Sequence, residues 1–121
     1  MKVAVVGSRD FTERQRLYSK LDRLQAKRQI TLVISGGARG VDTFAVDWAK
    51  SRGIPWDIKW PDWNTHGKKA GFLRNAQIID EADICIAFWD NVSKGTAHSI
   101  GLAKKKGIPI KIFWILPISY K

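Results

Sequence analysis

The strongest constraint on the fold is an alternation along the chain. Short, unbroken apolar runs are separated by segments with a helical period. Val3-Ala4-Val5-Val6 leads into Gly7, and Thr31-Leu32-Val33-Ile34 leads into Ser35-Gly36-Gly37. Trp56 to Trp60, Ile84 to Phe88 and Ile110 to Trp114 read as three further strands. Residues 12 to 28 place Leu17, Leu21 and Leu24 on one helical face, with Thr12 as the expected N-cap. Val41, Phe44, Ala45, Trp48 and Ala49 follow the i, i+3, i+4, i+7, i+8 pattern, and Gly53 then Pro55 end that helix. Helices are also expected over about 72 to 82 and over Thr96 to Lys106, the second closed by Gly107 and Pro109. Residues 61 to 71 read as a polar loop, and Pro117 to Lys121 as a short appendage.

Strands that are apolar at every position are buried on both faces, which is the mark of a parallel sheet covered by helices. Right-handed crossovers then give an α/β fold: a Rossmann-like, doubly wound parallel sheet of about five strands with helices on both faces. One domain over residues 1 to 121 is expected, since a chain of this length buries about two-thirds of its surface. The single cysteine, Cys85, reads as buried and inert, and excludes an internal disulfide and a paired-thiol zinc site. With only His66 and His98 as histidines, no metal is expected. No apolar stretch approaches the ~18 residues of a membrane span, and the first apolar run is too short for a signal peptide. A cytoplasmic protein without a membrane partner is the expectation.

Ligands of open parallel sheets sit at the carboxyl ends of the strands. The first strand is followed by Gly7, Ser8, Arg9, Asp10 and Phe11, and the second by Gly36, Gly37, Ala38, Arg39, Gly40, Val41 and Asp42. Beyond the third lies a loop with Asp62, Trp63, His66, Lys68 and Lys69 that runs into Arg74 and Asn75. The fourth leads to Trp89, Asp90, Ser93, Lys94, Gly95 and Thr96. Glycines let backbone amides approach an anion, and helix N-termini add partial positive charge. Two helices begin at this edge, near Val41 and Thr96, with Arg9, Arg39, Arg74 and Lys94 as full charges. The edge therefore suits a phosphate. Neither GxxxxGK[ST] nor GxGxxG is present, so the residues carry no P-loop or dinucleotide fingerprint. Trp63 and Trp89 are placed to stack on a base, and Trp48 belongs to a core stripe. Asp42 is expected to cap its helix or to hold Arg39, and His98 lies in the first turn of the last helix.

Charge points the same way. Lys plus Arg number 21 against 11 acids, a net charge of +10, which attracts anionic partners. Arg16, Lys20, Arg23 and Lys27 form a stripe on the first helix that reads chiefly as a solvated face. Its contribution is expected to be weak, salt-sensitive nucleic-acid contact. Lys104, Lys105 and Lys106 complement the dipole of a last helical turn.

GSRDF, ISGGARGVDTFA, the spacing PDW-x3-G-x2-AG-x2-RN and a Gly-Thr opening the last helix together resemble the SLOG superfamily, in particular its small YspA-like, cpYpsA-related bacterial and phage members. More distantly the chain is similar to the Lonely Guy phosphoribohydrolases and to DNA-processing protein A. The resemblance runs from Val3 to about Pro109 and implies a fold that binds a nucleotide or nucleotide-derived ligand, with no further cofactor assigned. A homodimer is compatible with it. By the same resemblance Arg74 matches the catalytic arginine of the phosphoribohydrolases. The preceding Pro-Gly-Gly is replaced by Asn91-Val92-Ser93 and the glutamate by Ser99. N-glycosidic hydrolysis needs a carboxylate, so that reaction would require Asp42, or else Asp10 or Asp90, as a substitute.

Overall fold

The computed structural model describes residues 1–115; the expected appendage at 117–121 lies outside them. Five strands form one parallel sheet in the order β3-β2-β1-β4-β5: β1 Lys2–Gly7, β2 Leu32–Ser35, β3 Trp56–Ile58, β4 Ile84–Trp89 and β5 Ile110–Trp114. The helices are α1 Arg14–Lys27, α2 Val41–Ser51, α3 Trp63–His66, α4 Ala70–Glu81 and α5 Lys94–Lys106. The period of two along the strands divides the core. Val3, Val5, Val33, Ile86 and Phe88 face α1 and α2, where Leu17, Leu21, Val41, Ala45 and Trp48 meet them. Ala4, Val6, Ile34, Cys85 and Ala87 face Ile78 and Ile79 of α4 and Ile100 and Ala103 of α5. The sheet is therefore doubly wound, and the direction of winding reverses between β1 and β4. Cys85 is fully buried, and burial pushes its thiol up to about 12, which leaves it unreactive.

Several expected boundaries shift. Thr12 does not cap α1: the helix starts at Arg14, Glu13 occupies the cap, and no side chain bonds the first amides. The segment 61 to 71 is not a loop. Asp62 accepts a hydrogen bond from the Thr65 amide at 3.2 Å and starts α3, a 3₁₀ turn over Gly67–Lys69 follows, and α4 begins at Ala70. An N-capping aspartate can nucleate a turn even where polar composition argues for coil. β3 ends at Ile58 instead of Trp60, and α5 begins at Lys94 instead of Thr96. Among the described residues no helix is long and apolar enough to cross a membrane, and no cluster of three metal-ligating side chains occurs.

Two close approaches fasten the carboxyl edge. A Cβ on Gly7 would lie 2.6 Å from the Phe88 carbonyl and from Val41 Cγ2. Gly40, at φ +75°, lies against the carbonyls of Ser8 and Arg9, at 2.5 and 2.6 Å from where its Cβ would be. Gly40→Ala thus meets both backbone strain and immovable backbone, and we expect a loss of about 2–4 kcal/mol. Gly53, at φ +68°, has open space around it, so Gly53→Ala should lose only about 1 kcal/mol. Urea unfolding midpoints of the two variants measure the difference. Equal losses would mean that contact with the Ser8–Arg9 backbone is unimportant.

Candidate functional site

A cleft of about 280 Å³ opens at the carboxyl ends of β1, β2 and β4, beside the reversal of winding. Its walls come from the Gly7–Asp10 turn, from Gly36, Ala38 and Asp42, from Arg74, Asn75 and Ile78 of α4, and from Ser93, Gly95, Thr96 and Ser99 around the start of α5. Of the residues singled out in the sequence, Gly7, Ser8, Arg9, Gly36, Asp42, Arg74, Asn75, Gly95 and Thr96 line it. Gly37, Arg39, Gly40, Trp89 and Lys94 do not. Gly40 lies behind the wall. Lys94 is exposed outside it. Trp89 donates from Nε1 to the Ser93 carbonyl at 3.1 Å, and its ring stacks on Trp114 with centroids 5.5 Å apart. Arg39 turns outward and pairs with Asp10 at 3.4 Å.

The two helix N-termini at this edge differ. At α2 the first amide, Val41, is taken by the Ser8 carbonyl at 3.3 Å, and the acid Asp42 occupies the first turn. At α5 no side chain caps the helix and no acid lies in its first turn. Asp90 instead gathers the amides of Val92 and Ser93, at 2.9 and 2.7 Å, and the Ser93 hydroxyl, which turns the chain into the helix. The positive end of the α5 dipole is thereby presented at the cleft beside Gly95 and Thr96. Both helices begin at this edge, as the sequence places them, but only the first amide of α2 has a backbone partner from another loop.

α4 supplies the opposing wall. Arg74 donates from an Nη to the Gly36 carbonyl at 2.6 Å and from Nε to the Asn75 side-chain oxygen at 3.1 Å. Asn75, itself buried, reaches the Gly95 carbonyl at 3.4 Å and His98 Nδ1 at 3.3 Å. These bonds orient Arg74 and connect the β2 loop to the start of α5 through one helix. The sequence suggests that Asp42 caps its helix or holds Arg39, and it does neither: Gly40 is the N-cap of α2, no side chain caps it, and Arg39 pairs with Asp10. Asp42 serves its own loop: its carboxylate accepts from the Ala38 amide at 3.1 Å, while Ser35 Oγ donates to the Asp42 carbonyl at 3.1 Å. Gly36 is small because Arg74 and Asp42 converge on it; a Cβ there would lie 2.7 Å from an Arg74 Nη and 2.9 Å from Asp42 Oδ2.

Burial pushes the Asp42 carboxyl up to about 6, although the Ala38 amide and the guanidiniums of Arg74 and Arg9 pull it down. Burial also lowers Arg74, a shift that Asp42 opposes and Arg9 reinforces. A carboxyl whose folded value is raised favours folding below its unfolded value near 4. That contribution is lost as pH rises through about 6. Asp42→Asn retains an acceptor for the Ala38 amide, so we expect it to raise stability at pH 8 by up to about 3 kcal/mol, with the gain vanishing near pH 4. Urea unfolding across that range tests the sign. A less stable variant at pH 8 would mean that attraction to Arg74 outweighs the cost of burial.

Residues 1–66, which include both glycine-bearing turns of the cleft, match the YspA, cpYpsA-related SLOG family, YAcAr. The Gene 61 protein of Mycobacterium phage D29 is 37% identical, over 90% of this chain and 93% of that one. Among solved structures, DNA processing protein A from Helicobacter pylori, described for its single-stranded DNA binding mode, superposes with a TM-score of 0.74 and 26% identity, over 93% of this chain and 64% of that chain. DNA processing protein A from Streptococcus pneumoniae superposes with a TM-score of 0.77 over 92% of this chain and 49% of that chain; at 21% identity this likeness concerns the fold. Since the family match spans more than half the chain and includes the turns that build the cleft, the protein belongs to the YspA, cpYpsA-related SLOG family.

Proposed function

We propose that the protein binds a nucleotide or nucleotide-derived ligand at the carboxyl edge of its sheet, as a sensor, carrier or sequestering protein. The observation that carries this reading is the uncapped α5 N-terminus facing Arg74 and Arg9 across the cleft. Amides at a helix start and a guanidinium opposite them are the donors a phosphate needs. Gly36 and Ser8 keep the remaining wall close and polar, and Asn75 stands where a sugar hydroxyl could reach it. In this reading Arg39 and Lys94 contribute field at the rim, Gly37 shapes the turn, and none of the three contacts the phosphate.

Gly95→Asp tests the claim with opposite signs on two quantities. A side chain at Gly95 meets open space, and an acid in the first turn of a helix stabilises it by about 0.3–1 kcal/mol. The same carboxylate would occupy the anion position. We expect thermal stability to hold or rise while AMP affinity falls at least about tenfold, as it should in Arg74→Ala when a charge-assisted bond is lost. Calorimetry with AMP reads both variants. Mass spectrometry of small molecules released on denaturing the purified protein identifies a resident ligand. Unchanged AMP affinity in both variants would move the phosphate elsewhere.

A hydrolase reading is favoured by one observation: Asp42 lies in the cleft wall near Arg74, with its carboxyl raised to about 6. The Asp90 carboxylate is committed to its own turn, and that of Asp10 to Arg39. With Ser99 at the glutamate position, we expect no rapid release of adenine from AMP. Release that is lost in both Asp42→Asn and Arg74→Ala, followed by chromatography of the free base, would establish the hydrolase. Single-stranded DNA binding draws support from the likeness to the Helicobacter pylori protein and from the net charge of +10. Part of the α1 stripe is already engaged, with Arg16 on the Trp114 carbonyl and Lys20 over the Phe113 ring, so a strand on that face would be held weakly.

A further inference from the structure

Among the described residues no aromatic ring lines the cleft. Its apolar lining is Val6, Ile78 and Ala38, and the rest is polar or glycine. Trp89, one of the two rings expected to stack on a base, is occupied by Trp114 and by its bond to Ser93; the other, Trp63, lies outside the cleft. A second, more open hollow adjoins the cleft and shares Arg9, Gly36, Ala38 and Arg74 with it. Its own walls are Gly37, Arg39, Trp60, Pro61 and Trp63.

Trp60 and Trp63, between β3 and the first turn of α3, are 66% and 53% exposed, which is unusual for such large apolar side chains. Their placement is nevertheless defined. Gly37, at φ +77°, has its Cβ position taken by the Trp60 ring, 2.6 Å from Cζ3, and Ile58 Cγ2 lies 2.8 Å from the same point. The indole therefore rests on the backbone of the glycine turn and leaves much of its surface open. Trp63 lies against Gly71, whose Cβ position is 3.6 Å from Cη2. Arg39 lines the same hollow, tethered to Asp10. A ring seated in this way loses little freedom when a planar ligand covers it, and cations beside it add attraction for an electron-rich ring.

We propose that this hollow is the nucleobase subsite, and that the ligand is a nucleoside 5′-phosphate whose phosphate and sugar occupy the cleft while its base leaves the cleft over Arg74 and Gly36 and stacks on Trp60. The inference rests on the nucleotide reading above and names where the base is recognised. Two features of the chain then gain a reason. Gly37 makes room for the ring, and the helical segment begun by Asp62 sets Trp63 as the outer wall. Stacking recognises a π-face and tolerates different bases, so discrimination between bases would be modest.

The test uses AMP and ribose 5-phosphate, which lacks the base, with wild-type protein, Trp60→Leu and Trp60→Phe, all by calorimetry. Both substitutions are at an exposed position, and circular dichroism checks the fold. We expect AMP to bind the wild type about ten- to a hundredfold more tightly than ribose 5-phosphate, the range of a single base stack. Trp60→Leu should lose most of that preference without altering ribose 5-phosphate affinity by more than about twofold, and Trp60→Phe should recover part of it. AMP binding should also quench tryptophan fluorescence in the wild type, and much less in Trp60→Leu. Undiminished preference for AMP in Trp60→Leu, or equal affinities for the two ligands in the wild type, overturns the base subsite and leaves the phosphate site standing. Failure of both ligands to bind the wild type overturns the nucleotide reading together with the subsite.

Discussion

The architecture of the carboxyl edge depends on backbone meeting backbone at Gly7 and Gly40. With no Cβ at Gly7, Val41 packs directly beneath the end of β1; with none at Gly40, the Ser8–Arg9 carbonyls lie on the turn before α2. That contact brings the Ser8 carbonyl to the Val41 amide and so closes the N-terminus of α2. α5 has no such lid, because Asp90 spends its carboxylate on the preceding turn. One steric constraint thus gives α2 a backbone partner at its first amide and leaves α5, on the reading proposed above, as the helix end that an anion would meet.

Electrostatics follow from this geometry. A carboxylate buried in the cleft wall costs free energy unless it is hydrogen-bonded and near opposite charge. Asp42 has the Ala38 amide and the field of Arg74 and Arg9, yet burial still dominates its proton affinity. Arg74 is held by the Gly36 carbonyl and Asn75, so its guanidinium is oriented before any ligand arrives. Pre-orientation of this kind lowers the entropy lost on binding. The cleft wall carries two guanidiniums, Arg9 and Arg74, and two acids, of which Asp42 is buried and Asp10 pairs with Arg39.

Much of the layout was legible in the chain because two periodicities separate cleanly. Unbroken apolar runs identified β1, β2 and β4, alternation identified β3, the mainly apolar Ile110 to Trp114 read as the fifth, and period two within β1 sorts Val3 and Val5 from Ala4 and Val6 onto opposite helix layers. Glycines after β1 and β2 marked the edge where the cleft lies. The misplaced details share a cause: local signals overlap where a strand gives way to a loop. Trp60 reads as the last residue of a strand because it continues the alternation, yet β3 stops at Ile58 and Trp60 turns onto Gly37. Ending the strand two residues earlier would have put Trp60 among the edge residues. Asp62 was visible as a polar residue, but its capping of α3 depends on the Thr65 amide coming within 3.2 Å.

By itself the sequence determined the fold class, the parallel sense of the sheet and the set of loops at its carboxyl edge, because burial pattern and chain order are properties of the chain alone. Only the tertiary structure decided how those loops divide the work. Arg39 and Arg74 look equivalent as letters, but one pairs with Asp10 in solvent and the other is pinned across the cleft to Gly36. Trp89 and Trp60 are both edge tryptophans, but one is covered by Trp114 and the other is open over Gly37. These distinctions are set by neighbours 25 or more residues away in Trp89 and Arg74 and by the seat each backbone offers, and no local pattern encodes a contact made through the fold.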